Sequence, residues 1–418
     1  MMARRGAVLG GVVVLAAACW EHVAAPGNCP AFCPTGQIQI VDTVLPAIIS
    51  RDSAFRGYVS PYQVPLVLAA ALPSVDGRSL LRFNGYGPRW PHILGASDTT
   101  TGAILGSDSA RLRFTVSRRD TGAHNLTLRF YRLPITVDTN TTFAAALPWF
   151  ADSLLVHTVN LDTLLARPGR TDSLTGDSAV VDTLLRTVRL SLRLDSAAAR
   201  YIPIDSGTVA YGLRVAADSL ASIALPKTGF ALQWYLRVDS AKKTVARTPA
   251  VIPYSFGSFV QNPLPPTPDS TLAVGGVPSA RSLLRVAFPR FIRDSASVIR
   301  GTLTLIPATA AQGAHADSFI VEAHTVYADY GAKSPVILDA TRSDTTMIRI
   351  RATDTVRIEV TNVLQYWAAD TTRPTTLVLR AQSEGQSFSW ISFYPSVATA
   401  FRPALHITFL RRFPFGVP

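Results

Sequence analysis

Glutamate and lysine are nearly missing from this chain. Only Glu21, Glu322, Glu359 and Glu384 are glutamates, and only Lys227, Lys242, Lys243 and Lys333 are lysines. Both residues are strong helix formers, whereas Thr and Val favour strands. The composition therefore argues against a helical bundle or a coiled coil. It also removes the usual acids of a glycosidase, which needs two carboxylates about 5–10 Å apart. Charge is thin altogether, at 16% of 418 residues against 48% apolar. Charge-driven disorder is excluded by that balance. Cysteine is limited to Cys19, Cys29 and Cys33, so no disulfide framework staples a core. Beyond residue 18, no apolar run reaches the roughly 20 residues that a membrane-spanning helix needs.

What is present is arginine, aspartate and alternation. Basic residues number 40 and acidic residues 28, for a formal net charge of +12. Of 24 aspartates, 21 are followed directly by Ser or Thr, as in Asp52-Ser53, Asp108-Ser109 and Asp294-Ser295. Asp and Ser side chains bond nearby backbone amides, so these pairs read as turns and strand ends. A calcium loop would need closely spaced carboxylates, and no such cluster occurs.

Apolar and polar residues alternate with period two in many short segments. Examples are Leu112/Phe114/Val116, Val188/Leu190/Leu192/Leu194, Leu232/Trp234/Leu236/Val238, Val356/Ile358/Val360 and Leu405/Ile407/Phe409. This is the signature of half-buried antiparallel strands. The expected fold is all-β, with two antiparallel, jelly-roll-like β-sandwich domains in tandem. The expected boundaries are a signal peptide at 1–18, a tether at 19–37, a first sandwich with insertions at 38–258, a Pro-rich linker at 259–268 and a second sandwich at 269–418. Two echoes link the halves. Arg78-Ser79-Leu80-Leu81-Arg82-Phe83 returns as Arg281-Ser282-Leu283-Leu284-Arg285-Val286, and Tyr211–Ala216 returns as Leu377–Ala381.

Arg4 and Arg5, the apolar run Ala7–Leu15 and the small residues Ala16, Ala17 and Ala18 compose a secretory signal. Leu15-Ala16-Ala17-Ala18-Cys19 resembles the lipobox of bacterial lipoproteins, with Leu15 one place further from the cysteine than the family's leucine. The resemblance implies lipid attachment at Cys19, and Trp20 after it implies the outer membrane, with the body periplasmic or at the cell surface. Outside the cytoplasm, Cys29 and Cys33 are candidates for a small local disulfide. A metal site there would need more ligands than His22 alone supplies. A membrane β-barrel is the competing all-β architecture; barrels of that kind usually end in an aromatic residue, and this chain ends Phe415-Gly416-Val417-Pro418.

The second half resembles the DNRLRE-type domain, a β-sandwich family of bacterial and archaeal surface proteins that includes carbohydrate-binding modules. Four stretches carry the likeness: Ser279–Phe288, Asp294–Leu305, Val356–Trp367 and Arg402–Phe409. Together they span more than a third of the chain, and the first half shares only the Arg78–Phe83 block. The resemblance implies the sandwich fold first and extracellular glycan or matrix contact second.

No nucleophile elbow, zinc-protease motif, P-loop or dinucleotide fingerprint occurs, so no catalytic residue, metal or cofactor is assigned. Glu322 and Glu359 sit on the polar face of strand patterns and read as solvated charges. Glu322 and His324 share a face, as a polar contact or an incomplete ligand pair. The candidate ligand-binding residues are aromatic. Tyr86, Trp90 and His92 lie in a Gly/Pro-containing stretch read as a loop, and Trp390 and Tyr394 share one strand face. Trp234 and Trp367 read as core. Loss of Arg4 and Arg5 with the signal leaves a charge of about +10, carried by arginines set singly along strands. Nucleic acid is a poor partner for an exported protein. Arg pairs well with carboxylate and sulfate, so acidic polysaccharide or lipopolysaccharide is the expected partner. The expectation is a non-catalytic binding or adhesion module, with an envelope scaffold that binds other proteins as the alternative and a polysaccharide-degrading enzyme behind both.

Overall fold

The computed structural model describes residues 40–411, apart from 58, 86, 96–97, 195–207, 240–244, 264–270, 314–317 and 332–335. Strands make up 57% and helices 10%, in antiparallel sheets that do not close into a barrel. No helix is long and apolar enough to cross a membrane among these residues.

Alternation sets which side chains are buried. In the strand Thr187–Leu194, Val188, Leu190, Leu192 and Leu194 are buried, while Arg189 and Arg193 are exposed. Each sandwich therefore has an apolar inner side and a polar outer face. The first core runs from Leu68, Leu81 and Phe83 to Leu112, Phe114, Leu190 and Trp234. The second gathers Leu284, Leu303, Val321, Trp367, Ile391 and Phe409. Trp367 enters it from the helix Thr361–Ala369, which fills one end.

The strand order of the two halves is the same. In the first, an extra edge strand Ser178–Asp182 precedes the shared path, which runs Thr187–Leu194, Asp98–Val116, Ala231–Asp239, Val245–Gln261, Asp76–Phe83, Val209–Ala216, Thr127–Leu133, Leu155–Asn160. The strand Val245–Gln261 pairs with one sheet through residues 245–253 and with the other through 254–261, so one bent strand joins the two layers. In the second half the matching path is Val356–Glu359, Ala296–Leu305, Ala404–Arg411, Ile40–Leu45, then Ile49–Arg56, Ala280–Val286, Thr376–Ala381, Ser318–Asp329, Val336–Arg349. The place of the bent strand is filled by Ile40–Leu45 and Ile49–Arg56, from the other end of the chain.

The sequence echoes fall at equal register. Tyr211 opposes Leu81 and Leu213 opposes Ser79. Leu377 opposes Leu284 and Leu379 opposes Ser282. Both serines are fully buried, and each donates to the carbonyl of a neighbouring strand: Ser79 Oγ to Leu68 O at 3.0 Å, and Ser282 Oγ to Ala273 O at 2.8 Å.

Two expected boundaries change. Residues 40–56, expected in the first sandwich, form strands that pair with the second. Alternation encodes a strand's face but not its partner. The linker expected at 259–268 starts inside a strand, because Phe259, Val260 and Gln261 pair with Ser79, Arg78 and Gly77. Asn262 then accepts from the Asp76 amide at 2.6 Å and donates to Ser74 O at 3.2 Å, so the prolines begin only after a fixed strand end.

Candidate functional site: matched outer faces of the two sandwiches

Among the described residues, the candidate aromatic side chains Trp90, Trp390 and Tyr394 do not form an exposed platform. Trp390 is only 6% exposed, because its strand Trp390–Phe393 is covered on both faces. Its ring lies where a side chain on Gly275 would have to pass, the Arg56 guanidinium sits 5.1 Å from its centroid, and Nε1 donates to Ser392 Oγ at 3.2 Å. Tyr394 is partly buried and packs on Phe401 with centroids 4.8 Å apart. Trp90 is half-buried against the first core, on a strand Arg89–Gly95 that pairs with residues 98–103 rather than in a loop. Trp90 opposes Gly102, which lies tight against Val238 and Asp239. His92 belongs to the same strand, but its side chain is outside the described residues, as are Tyr86, Cys19, Cys29 and Cys33. Trp234 and Trp367 are core, each 1% exposed.

Glu322 is not a solvated strand-face charge. It is 7% exposed and accepts from Arg380 Nε and His324 Nε2, each at 2.9 Å. His324 Nδ1 lies 3.1 Å from Asp339 O, so the strand Val336–Arg349 folds over the pair. Burial would raise the Glu322 carboxyl, but the hydrogen bonds from His324 and Arg380 outweigh it and hold it below the ordinary range. Among the described residues, no group of three His, Cys, Asp or Glu side chains could hold a metal ion.

The exposed polar surfaces of interest are the outer faces of the two matched sheets. In the first sandwich, Arg189, Ser191 and Arg193 oppose Thr115, Arg113 and Arg111 in that order. Four guanidiniums thus project from two neighbouring strands, and Arg193 stands directly across from Arg111. Like charges directly opposite destabilise a sheet. Arg113, Arg189 and Arg193 are exposed. No carboxylate lies within 4.0 Å of any of the four among the described residues. Asp177 lies beside them and is fully buried, but its oxygens are taken by His157 Nε2 at 2.9 Å and the Arg193 backbone amide at 2.8 Å. Arg111 donates to Gly176 O at 2.9 Å. Beside the arginines lies a groove of about 380 Å³ lined by Arg113, Thr115, Ser178, Val180, Arg189 and Gly229, among others.

The equivalent face of the second sandwich sets acids among its bases. Asp42 opposes Thr408, which opposes Arg300; His406 opposes Thr302, which opposes Glu359; Thr304 opposes Arg357. Asp42 accepts from His406 Nε2 at 2.7 Å and Thr408 Oγ1 at 2.8 Å. Those bonds hold its carboxyl below the ordinary range. Glu359 accepts from Arg300 Nε at 3.1 Å and from Thr361. Burial opposes ionisation of Glu359, yet the Thr361 and Arg300 bonds prevail and lower its pKa. These side chains, with Thr345 and Thr346, line a groove of about 550 Å³.

The arginines were legible in the sequence as the residues between buried ones. Their grouping on adjacent strands was not, because it depends on pairing of residues 110–116 with 188–194. No protein-family model matches the chain, and no curated protein matches it.

Proposed function

We propose that this protein is a non-catalytic binding or adhesion module of the cell envelope, anchored through Cys19, whose partner is an acidic polysaccharide. The observation that carries the reading is the set of Arg111, Arg113, Arg189 and Arg193 on one exposed sheet face without carboxylate partners among the described residues. Mutual repulsion of those guanidiniums is relieved when a chain of carboxylates or sulfates crosses the face, and guanidinium forks suit both anions. The basic net charge points the same way. The resemblance of the second half to the DNRLRE-type domain agrees with a surface role. The aromatic residues Trp90, Trp390 and Tyr394 have no part in this reading.

The test is retention of the purified chain on immobilised polygalacturonate and dextran sulfate, with dextran as the neutral control. Retention at about 50 mM salt that weakens steeply towards about 500 mM is expected. Passage through both anionic columns at low salt would overturn the proposal.

A further inference from the structure

One edge of the first sandwich exposes apolar side chains in a row. The strand Ser178–Asp182 is the last in its sheet. Val180 and Val181 on it are 42% and 41% exposed. The turn before it carries Leu174, 93% exposed, and the turn after it carries Leu184 and Leu185, 90% and 68% exposed. Single exposed apolar residues need no explanation, but five along one edge do.

Both turns hold their leucines outward by the same device. Asp172 Oδ1 accepts from the amides of Leu174 at 2.9 Å and Thr175 at 2.8 Å. Asp182 Oδ1 accepts from the amides of Leu184 at 3.1 Å and Leu185 at 2.9 Å. The carboxylates are turned inward on the backbone while arginines point out. Arg167 and Arg170 lie exposed before the first turn, Arg186 sits in the second, and Arg189 opposes Val180.

We infer that this edge docks on an anionic lipid surface, with Leu174, Leu184 and Leu185 inserted among acyl chains and the flanking arginines on headgroup phosphates. A second copy of the chain pairing edge to edge fits less well. Part of the backbone edge is already used, since Gly169 N donates to Ala179 O at 2.7 Å and Thr171 bridges Ser178. A second copy would also bring no free turn carboxylate to these arginines, because Asp172 and Asp182 are bound to their own turn amides. A phosphate-bearing surface complements them. Docking here would stand the arginine face of the sheet upright beside the membrane, within reach of envelope polysaccharide.

The experiment is flotation of the full chain carrying Cys19→Ala, so that no lipid is attached, with vesicles of phosphatidylglycerol and phosphatidylethanolamine. Pure phosphatidylcholine vesicles are the control. The chain floats with the anionic vesicles, and Leu174→Ser/Leu184→Ser/Leu185→Ser lowers the bound fraction at least about tenfold. Retention of that triple variant on dextran sulfate stays at the parent value, which separates this site from the polysaccharide face. The inference fails if the Cys19→Ala chain stays at the bottom of the gradient. It also fails if the triple variant floats as well as its parent, or if the leucine changes convert a dimer to a monomer without altering flotation.

Discussion

The two sandwiches present the same sheet face built from the same strand order, and they treat charge on it oppositely. On this face of the second, Arg300 meets Glu359 through Nε; elsewhere Arg281 binds Glu384 and Arg285 binds Asp329, both through Nε and a terminal nitrogen, as Arg78 binds Asp76 in the first. In the first, Arg113, Arg189 and Arg193 stand without an acid among the described residues. The contrast extends to the other sheet. Glu322 opposes Arg380, whereas at the equivalent register Arg129 opposes Arg214, whose guanidinium lies 3.6 Å from Asp76 instead. One face sets acids beside its bases; the other carries guanidiniums without acids among the described residues.

The largest effect should come from removing the residues that the second sandwich takes from the far end of the chain. A protein beginning at Val59 loses both Ile40–Leu45 and Ile49–Arg56, with Ile48 and Ile49 from the core. Limited proteolysis is expected to degrade residues 271–411 rapidly while a fragment within 59–263 persists. Equal survival of both halves would show that the second sandwich closes without those strands.

Next is the charge contrast itself. Reversing Arg113, Arg189 and Arg193 to Glu should weaken binding to dextran sulfate by about a hundredfold or more, at roughly 1–2 kcal/mol per fully engaged ion pair. Arg300→Ala with Arg357→Ala on the matched face should change it less than about threefold. Similar losses from both sets would remove the distinction between the faces.

Glu322→Gln leaves Arg380 and His324 under a folded-over strand with a neutral partner, and should cost about 2–3 kcal/mol in urea unfolding. Arg129→Gln at the equivalent position should cost less than about 0.5 kcal/mol. A matched cost at the two sites would mean that the first sandwich is held by charge as strongly as the second.

Acid should separate the halves more gently. Burial opposes ionisation of Asp329, but bonds from Arg285, Thr376 and the Gly331 amide hold its pKa at about 2. A carboxyl with a depressed folded pKa stabilises fully above its unfolded value near 4 and loses that contribution as pH falls towards about 2. Glu322 and Glu359 are shifted in the same direction. Between about pH 4 and pH 2, tryptophan fluorescence from Trp367 should report unfolding before that from Trp234, read in single-tryptophan variants.

Alternation in the sequence revealed the strands and their buried sides, because Leu112, Phe114, Leu190 and Leu192 mark a face by local spacing alone. The repeated Arg-Ser-Leu-Leu-Arg block also located a shared strand, since its serine meets the same kind of partner in both copies. Partner choice was hidden. Nothing near Asp42 shows that it will meet His406, and nothing near Trp390 shows that Gly275 and the segment around Pro307–Gln312 will enclose it. Glu322 looked exposed for the same reason: its cover is a bend in a neighbouring strand. The aspartates were turn formers at Asp120, Asp138, Asp172, Asp182 and Asp370, each accepting from an amide two residues on. Regular ten-residue spacing of Asp152, Asp162, Asp172 and Asp182, each followed by Ser or Thr and then Leu, was the available signal for the leucine-bearing edge.

The borrowed strands also impose an order of events during synthesis. Residues 66–261 contain every described strand of the first sandwich, so that half can close once about 260 residues have emerged. Ile40–Arg56 is made first yet waits unpaired for partners at 280–286 and 404–411. Closing so long a loop is slow, and an unpaired strand is open to mispairing while it waits. Early completion of the first sandwich occupies its own bent-strand position with Val245–Gln261. That leaves the waiting segment its place in the second sandwich, which Ile40–Leu45 can take only once Ala404–Arg411 has been made.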